Sequence, residues 1–284
     1  MEIRVSRVNQ AIAALSSMLF ALPVSMPAWA ADEMPTPSFP TEWQLGLQNA
    51  ASPVMERMTS FHNLLLVIIT AISLFVLALL MICAVRYNER VNPVPAKWSH
   101  NTMIEVVWTA LPVLILALIA VPSYRLLYFQ DRTEQADMTL KIVGNQWYWS
   151  YEYPDTEITF DAIATPDKDI KPGQHRLLET DNHVVLPVET NVRLLMTATD
   201  VIHAWAIPAF GVKLDNVPGR TNETWVRPTK LGRFYGQCSE LCGVDHSFMP
   251  IVVDVVSKEA YTAWVASKKA PAAPAEAPAA PPAH

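Results

Sequence analysis

The chain is short of thiols, of glycine and of positive charge. Its 284 residues hold three cysteines and eight glycines, and the net charge is −6. Three cysteines leave one over after any pairing, and no C-x-x-C-H occurs, which excludes a covalently attached c-type haem. Nor are the cysteines paired as C-x2-C, the more usual zinc spacing. The deficit of positive charge is concentrated, since residues 137–259 carry 17 acidic and 11 basic side chains. So acidic a segment makes nucleic acid an unsuitable partner. It favours a basic protein, because complementary fields speed encounter. Prolines number 23, many of them in the two tails, and a mean hydropathy of +0.18 points to membrane segments.

What chemistry there is gathers in residues 236–250, GQCSELCGVDHSFMP. Cys238 and Cys242 are four apart, His246 follows four later, and Met249 three after that. Thiolate, imidazole and thioether form the soft donor set that copper prefers. A mononuclear blue-copper site takes one Cys, two His and a weak axial Met, so this loop offers one thiolate too many. Two thiolates on one short loop can bridge a pair of copper ions if a second histidine arrives from elsewhere. His203, in TDVIHAWAIP and 35 residues before Cys238, is the candidate. The competing reading is a Cys238–Cys242 disulfide, which suits an extracytoplasmic segment. Cys83 lies in an apolar run and is most simply a buried, inert thiol.

Along the chain, residues 1–31 have the pattern of a secretory signal peptide. Arg4 and Arg7 precede a short apolar region, and Ala28-Trp29-Ala30 is a cleavage-type signal. Residues 32–59 read as a Pro-rich, polar arm. Residues 64–85 are 22 in a row without a charge. At about 1.5 Å per residue they cross a hydrocarbon core of about 30 Å. A second apolar run over 106–121 extends to about 127, with Pro112 inside it. A transmembrane hairpin is therefore expected over 60–129, with helices at about 62–86 and 104–127. The connecting loop 86–100 has three basic residues and one acid, whereas 31–60 has one base and four acids. That bias places the loop in the cytoplasm and both flanks outside. Glu105 stands at the cytoplasmic end of the second helix. Two readings are open for it, a solvated carboxylate at a helix start and a proton-relay group at membrane depth.

From Met138 the pattern turns to strands. Met138, Leu140 and Ile142 alternate with polar residues, and the aromatic-rich stretch 144–153 has strand composition. Residues 155–175 read as a loop or hairpin excursion. Short β runs at 184–187, 192–197, 223–226, 233–236 and 250–256 suggest a sandwich or barrel. Ser257 is placed to cap a helix that carries Tyr261, Trp264 and Val265 on one face. Residues 268–284 form a low-complexity Ala/Pro tail.

Three segments, GNQWYWSYEYPD, DVIHAWAIPAFGVKLDNVPGR and YGQCSELCGVDHSFMP, resemble subunit II of bacterial haem–copper cytochrome c oxidase. The likeness covers about 32–267. It implies a membrane protein with an N-terminal two-helix hairpin and a C-terminal all-β, cupredoxin-like Greek-key barrel over 137–267. It implies a dinuclear copper centre (CuA) bridged by Cys238 and Cys242. His203 and Met249 would complete one copper, and His246 with the Glu240 carbonyl the other. The Glu240 side chain would face a magnesium or manganese ion shared with the catalytic subunit. Trp147 would receive electrons from cytochrome c for onward transfer to haem in that subunit, where oxygen is reduced to water and protons are pumped. Glu105 would stand at the mouth of a proton channel. Asp181, Glu189, Asp200 and Asp215 are the candidates for cytochrome c docking. Implied partners are cytochrome c, the haem-bearing subunit I, further oxidase subunits and membrane lipid. The implied location is the bacterial inner membrane with the β domain in the periplasm. A copper-delivery or thiol-redox protein, or a structural subunit with a disulfide, would share C-x3-C, and copper stoichiometry separates these.

Overall fold

A computed structural model describes residues 39–131 and 135–269. The expected signal peptide and residues 270–284 of the tail lie outside them. Residues 39–52 form an irregular arm. Two long apolar helices follow, α1 (Pro53–Arg86) and α2 (Thr102–Asp131). With 34 and 30 residues they extend about 50 and 45 Å, more than the about 30 Å of a bilayer core. α2 runs on through both Pro112 and Pro122. Cys83, expected to be buried, is exposed on α1, because a two-helix hairpin has no third element to cover that face.

α1 starts at Pro53 rather than near 62 because its first turn belongs to the β domain. Ser52 is its N-cap, and the hydroxyl accepts from Met55 N at 3.1 Å while donating to the Phe210 carbonyl at 2.6 Å. Ser52, Val54 and Met55 are buried. The far end of the hairpin is tied down as well. Trp225 Nε1 donates to the Phe129 carbonyl at 3.2 Å, and the two rings meet edge-on at 5.3 Å.

The β domain has ten strands. β1 (Met138–Asn145), β2 (Tyr148–Tyr153), β3 (Ile158–Ala162), β5 (Val192–Ala198) and β8 (Asn222–Val226) form a five-stranded sheet in the order β3-β2-β1-β5-β8. β4 (Val184–Pro187), β10 (Pro250–Val256) and β9 (Gly232–Gln237) form a second sheet, in the order β4-β10-β9. β6 (His203–Ile207) and β7 (Val212–Asn216) pair as a hairpin. A closing helix, α3 (Lys258–Lys269), follows, so Lys268 and Lys269 are helical rather than part of the tail. Helix-favouring residues carry the last turn past the expected boundary.

The architecture is all-β and cupredoxin-like, but the sheets do not close into a continuous barrel. The core lies between them. In β1 and β5 alternate side chains face inward, among them Leu140, Ile142, Leu194 and Met196, as a half-buried strand requires. β4 and β6 carry no alternation, since both are buried along their whole length and so have no polar face. β3, an edge strand, and β7 do alternate: Phe160 and Leu214 at their centres pack on the core between exposed Thr159 and Asp161, and between exposed Lys213 and Asp215.

The β6–β7 hairpin is held to the large sheet by buried Asn216. Its amide donates to the Ile142 and Thr197 carbonyls at 3.1 and 3.0 Å, and its oxygen accepts from Trp205 N. On the other side β9 lies directly against β6. A Cβ on Gly236 would stand 1.8 Å from the Ala206 carbonyl oxygen and 2.7 Å from Ile207 Cδ1. Only glycine permits that approach. Gly236→Ala is therefore expected to cost about 3 kcal/mol or more and to part β9 from β6. A thermal melt of the purified variant, with its β-sheet circular dichroism, checks this.

Candidate metal centre

Two elements deliver the site. His203 is the first residue of β6. Cys238 follows the last residue of β9, and the loop from there to β10 carries Cys242, His246 and Met249. Because β9 packs on β6, the loop is brought beside His203, and Ser239 N donates to the Ala204 carbonyl at 3.0 Å. The spacing of the four loop residues was legible in the sequence. Their meeting with a strand residue 35 positions earlier is the work of Gly236.

The donor atoms converge. Cys238 Sγ lies 3.9 Å from His203 Nδ1, 3.9 Å from Cys242 Sγ and 3.4 Å from the Glu240 carbonyl oxygen. Cys242 Sγ lies 3.5 Å from His246 Nδ1 and 3.5 Å from Met249 Sδ. The nitrogen of His203 and the two sulfurs all fall within 4.8 Å of one another. His203, Cys238, Cys242 and Met249 are buried, and His246 is half-buried. A sulfur separation of 3.9 Å is far beyond a disulfide bond of about 2.05 Å, so both thiols are free. Two thiols, two imidazoles, a thioether and a carbonyl in one pocket fit a soft transition metal.

The surroundings orient these groups. Asp200 Oδ1 contacts His203 Nε2 at 2.9 Å, leaving Nδ1 turned to Cys238, an arrangement typical of metal-binding histidines. Asp200 in turn accepts from Val201 N and Gln146 N. Burial works against its charge, but these hydrogen bonds outweigh it and hold the carboxyl below its ordinary range. Trp149 is fully buried, meets the His203 ring edge-on at 5.9 Å and donates Nε1 to the Met249 carbonyl at 3.2 Å. Trp147 is half-buried, and its Nε1 donates to the Cys242 carbonyl at 3.3 Å; Gln146 Nε2 donates to the same oxygen at 2.7 Å. A Cβ on Gly144 would sit 2.8 Å from the His203 ring, so a bare backbone is needed there.

The sequence missed Trp149, Gln146 and Asn216 as supports of the site. Alternation along β2 offered the one available signal. Once Trp149 is set inward, Tyr151 and Tyr153 follow it.

The acidic candidates separate. Asp181 caps the Ile163 amide just past Ala162, which pairs with Trp149 in the neighbouring strand, so it lies at the Trp147 end of the domain. Asp215 is exposed and pairs with Ala204, beside His203. Asp200 is exposed, although its carboxylate is bonded to His203 as described. Glu189 is displaced from the expected docking group. It follows β4, near Val256 at the far end of β10 from Met249, and is paired with Arg227 at 2.7 Å. Period-free loops gave the sequence no means to say which end of the sheet each acid would occupy. Glu240 is exposed. Glu105 is half-buried in the first turn of α2, beside a cleft of about 570 Å³ that Thr102 and Thr109 also line. About 40 Å of helix separates it from Asp131.

Family comparison adds to this geometry. The family model for cytochrome c oxidase subunit II, transmembrane domain, matches residues 40–126, and the one for its periplasmic domain matches 138–256. A probable cytochrome c oxidase subunit 2 of Rickettsia bellii is 54% identical over 240 residues, spanning 84% of this chain and 89% of the relative. Cytochrome c oxidase subunit 2 of Phytophthora megasperma is 47% identical over 232 residues, spanning 80% and 87%. The solved periplasmic domain of subunit II of cytochrome oxidase of Bradyrhizobium japonicum is 51% identical, covering 49% of this chain and 97% of that one, with a TM-score of 0.46.

The two thiols differ sharply in acidity. Burial raises Cys238, but its hydrogen bonds to His203 and to the backbone at Glu240 and Ala204 prevail, and it is lowered to about 7. Burial, then the charge of Cys238 beside it, push Cys242 up to about 12. In metal-free protein, thiolate absorbance should therefore rise by one thiolate as pH climbs through about 7, with the second appearing only near 12. Two equal steps near the ordinary cysteine value of about 8.5 would contradict the shared pocket.

Proposed function

The chain belongs to the cytochrome c oxidase subunit II family and is a membrane subunit of that oxidase; on this premise we propose that its β domain holds a dinuclear copper centre and receives electrons from cytochrome c. The observation that carries the proposal is the convergence of two unbridged thiols with two imidazoles, a thioether and a carbonyl in one largely buried pocket. A mononuclear site has no use for the second thiol. In this reading Cys238 and Cys242 would be shared by both ions, His203 and Met249 would help hold one, and His246 with the Glu240 carbonyl would help hold the other. A thiolate-bridged copper pair, when bound, supplies one-electron storage with little change of geometry.

The residues of the chain do the rest. Asp200 holds His203 in one ring orientation, and Trp149 pins the Met249 end of the loop, so the ligand cage is set before metal arrives. A rigid cage keeps the reorganisation that accompanies electron transfer small. Trp147 is the proposed point of arrival for electrons. It is partly exposed, and its indole N–H is hydrogen-bonded to the carbonyl of a proposed ligand, Cys242. Asp181, Asp200 and Asp215 at that end supply negative charge to attract a basic cytochrome c, and Glu189 is left out of this face. Val201, Ile202, Leu241, Val244 and Phe248 form an exposed apolar rim around the site, the kind of patch that marks a protein contact.

The exposed Glu240 carboxylate is assigned to a magnesium or manganese ion shared with the haem-bearing subunit. Glu105, at the opposite end of α2, is assigned to the mouth of a proton channel in that subunit. The membrane in question is the bacterial inner membrane, with the β domain in the periplasm.

Copper analysis and electron paramagnetic resonance of the loaded protein test the proposal. Two coppers per chain are expected, with one unpaired electron shared over two nuclei. One copper or none, with a Cys238–Cys242 disulfide, would overturn it in favour of a delivery or structural role. Met249→Leu should keep the fold and both coppers while moving the redox midpoint; an unmoved midpoint would remove Met249 from the ligand set.

A further inference from the structure

Two arginines stand at the outer border of the membrane hairpin. Arg57 lies in the second turn of α1 and Arg125 near the outer end of α2, and both are exposed. They line one cleft of about 510 Å³ between the two helices. No ion pair to either guanidinium is present among the described residues.

Their depth is informative. Arg57 precedes the apolar run that begins at Leu64 by seven residues, about 10 Å of helix. Arg125 stands four residues, about 6 Å, beyond Val121, in the outer extension of the second run, from which a long side chain reaches outward to the interface. Headgroups occupy a layer of about 5–8 Å on each side of the hydrocarbon core, so both cations lie at or near the level of lipid phosphates.

The cleft is two-toned in the same sense. Ser60 and Glu56 share its polar part with the arginines, while Phe61, Leu64 and Leu126 continue it toward the hydrocarbon. One acid against two arginines leaves a single positive charge, which a singly anionic phosphodiester neutralises and a zwitterionic headgroup does not.

Arg57 is also pre-positioned. Its guanidinium carbon sits 3.4 Å from the centre of the Phe129 ring. Phe129 is itself held by Trp225 of β8 through a hydrogen bond and an edge-on contact. A planar guanidinium fixed in this way loses little freedom on binding a phosphate, which it contacts with two parallel hydrogen bonds.

We infer that the Arg57–Arg125 cleft binds the headgroup of one anionic phospholipid, with an acyl chain lying along Phe61, Leu64 and Leu126. Bound there, the lipid bridges α1 and α2 where both meet the β domain and stiffens that junction. The site is independent of the copper proposal, since none of its residues touches the metal loop.

The test uses the intact oxidase complex. It is stripped of lipid, returned to nanodiscs of phosphatidylcholine with graded phosphatidylglycerol, and read by native mass spectrometry and thermal stability. The wild type should retain one phosphatidylglycerol per chain that inorganic phosphate does not displace. Each arginine near an anionic surface is worth about a five-fold change in affinity. R57Q/R125Q should therefore need about 25-fold more phosphatidylglycerol to recover the same retention and the same melting temperature. R57K/R125K, which keeps the charges, should stay within a few-fold of wild type. Unchanged copper content shows that each variant is folded. If R57Q/R125Q does not assemble, R125Q alone decides, with about a five-fold change expected. Equal retention of phosphatidylcholine, unaltered phosphatidylglycerol retention in the glutamine variants, or loss of a partner subunit with lipid unchanged would each overturn the inference.

Discussion

The contact between β9 and β6 is the constraint from which the rest follows. At Gly236 the two strands are so close that a methyl group would overlap the Ala206 carbonyl. Because they touch there, the loop leaving β9 starts alongside the residue that opens β6, and Cys238 comes to lie next to His203. Had the strands been separated by an ordinary side-chain layer of about 10 Å, a single loop could still gather thiols and thioether. It would not reach His203. Asn216 fixes the other side of the hairpin through bonds to β1 and β5, so β6 is clamped between two sheets.

That clamp explains why the pocket combines stiffness with soft donors. Every donor atom but the His246 nitrogen and the Glu240 carbonyl oxygen sits on a buried residue. The groups that orient them, Asp200, Gln146 and Trp149, all come from the large sheet or its loops. The acidity of the thiols reflects the same closeness. Against its burial, hydrogen bonds from His203 and the backbone lower one, whereas burial and then the charge of the first raise the other. A disulfide would need the two sulfurs, 3.9 Å apart, to approach by nearly 2 Å.

A second junction joins membrane and outer domain. The first turn of α1 is buried under Phe210, and Phe129 at the end of α2 is held by Trp225. Two anchored helix ends hold the β domain, and with it the metal loop, at a fixed height over the hairpin. Arg57 and Arg125 occupy the gap between those anchors, where lipid and protein meet.

The membrane hairpin, its orientation and the loop C-x3-C-x3-H-x2-M were legible because each is local. Hydrophobic length, the bias of Arg and Lys and four closely spaced donors need no knowledge of distant contacts. β6 was not legible, since it has no polar face and so carries no period; β7 does alternate, with Leu214 inward between exposed Lys213 and Asp215, but over only five residues. The position of Glu189 at the far end from the metal loop and the bond between Asp200 and His203 were equally hidden. The start of α1 was missed for a related reason, as Ser52 and Met55 are buried by residues more than 150 positions away. The sequence by itself determined which donors exist and on which side of the membrane they stand. Only the tertiary structure decided which of them meet, because that depends on a backbone approach that a single glycine allows and that no local pattern records.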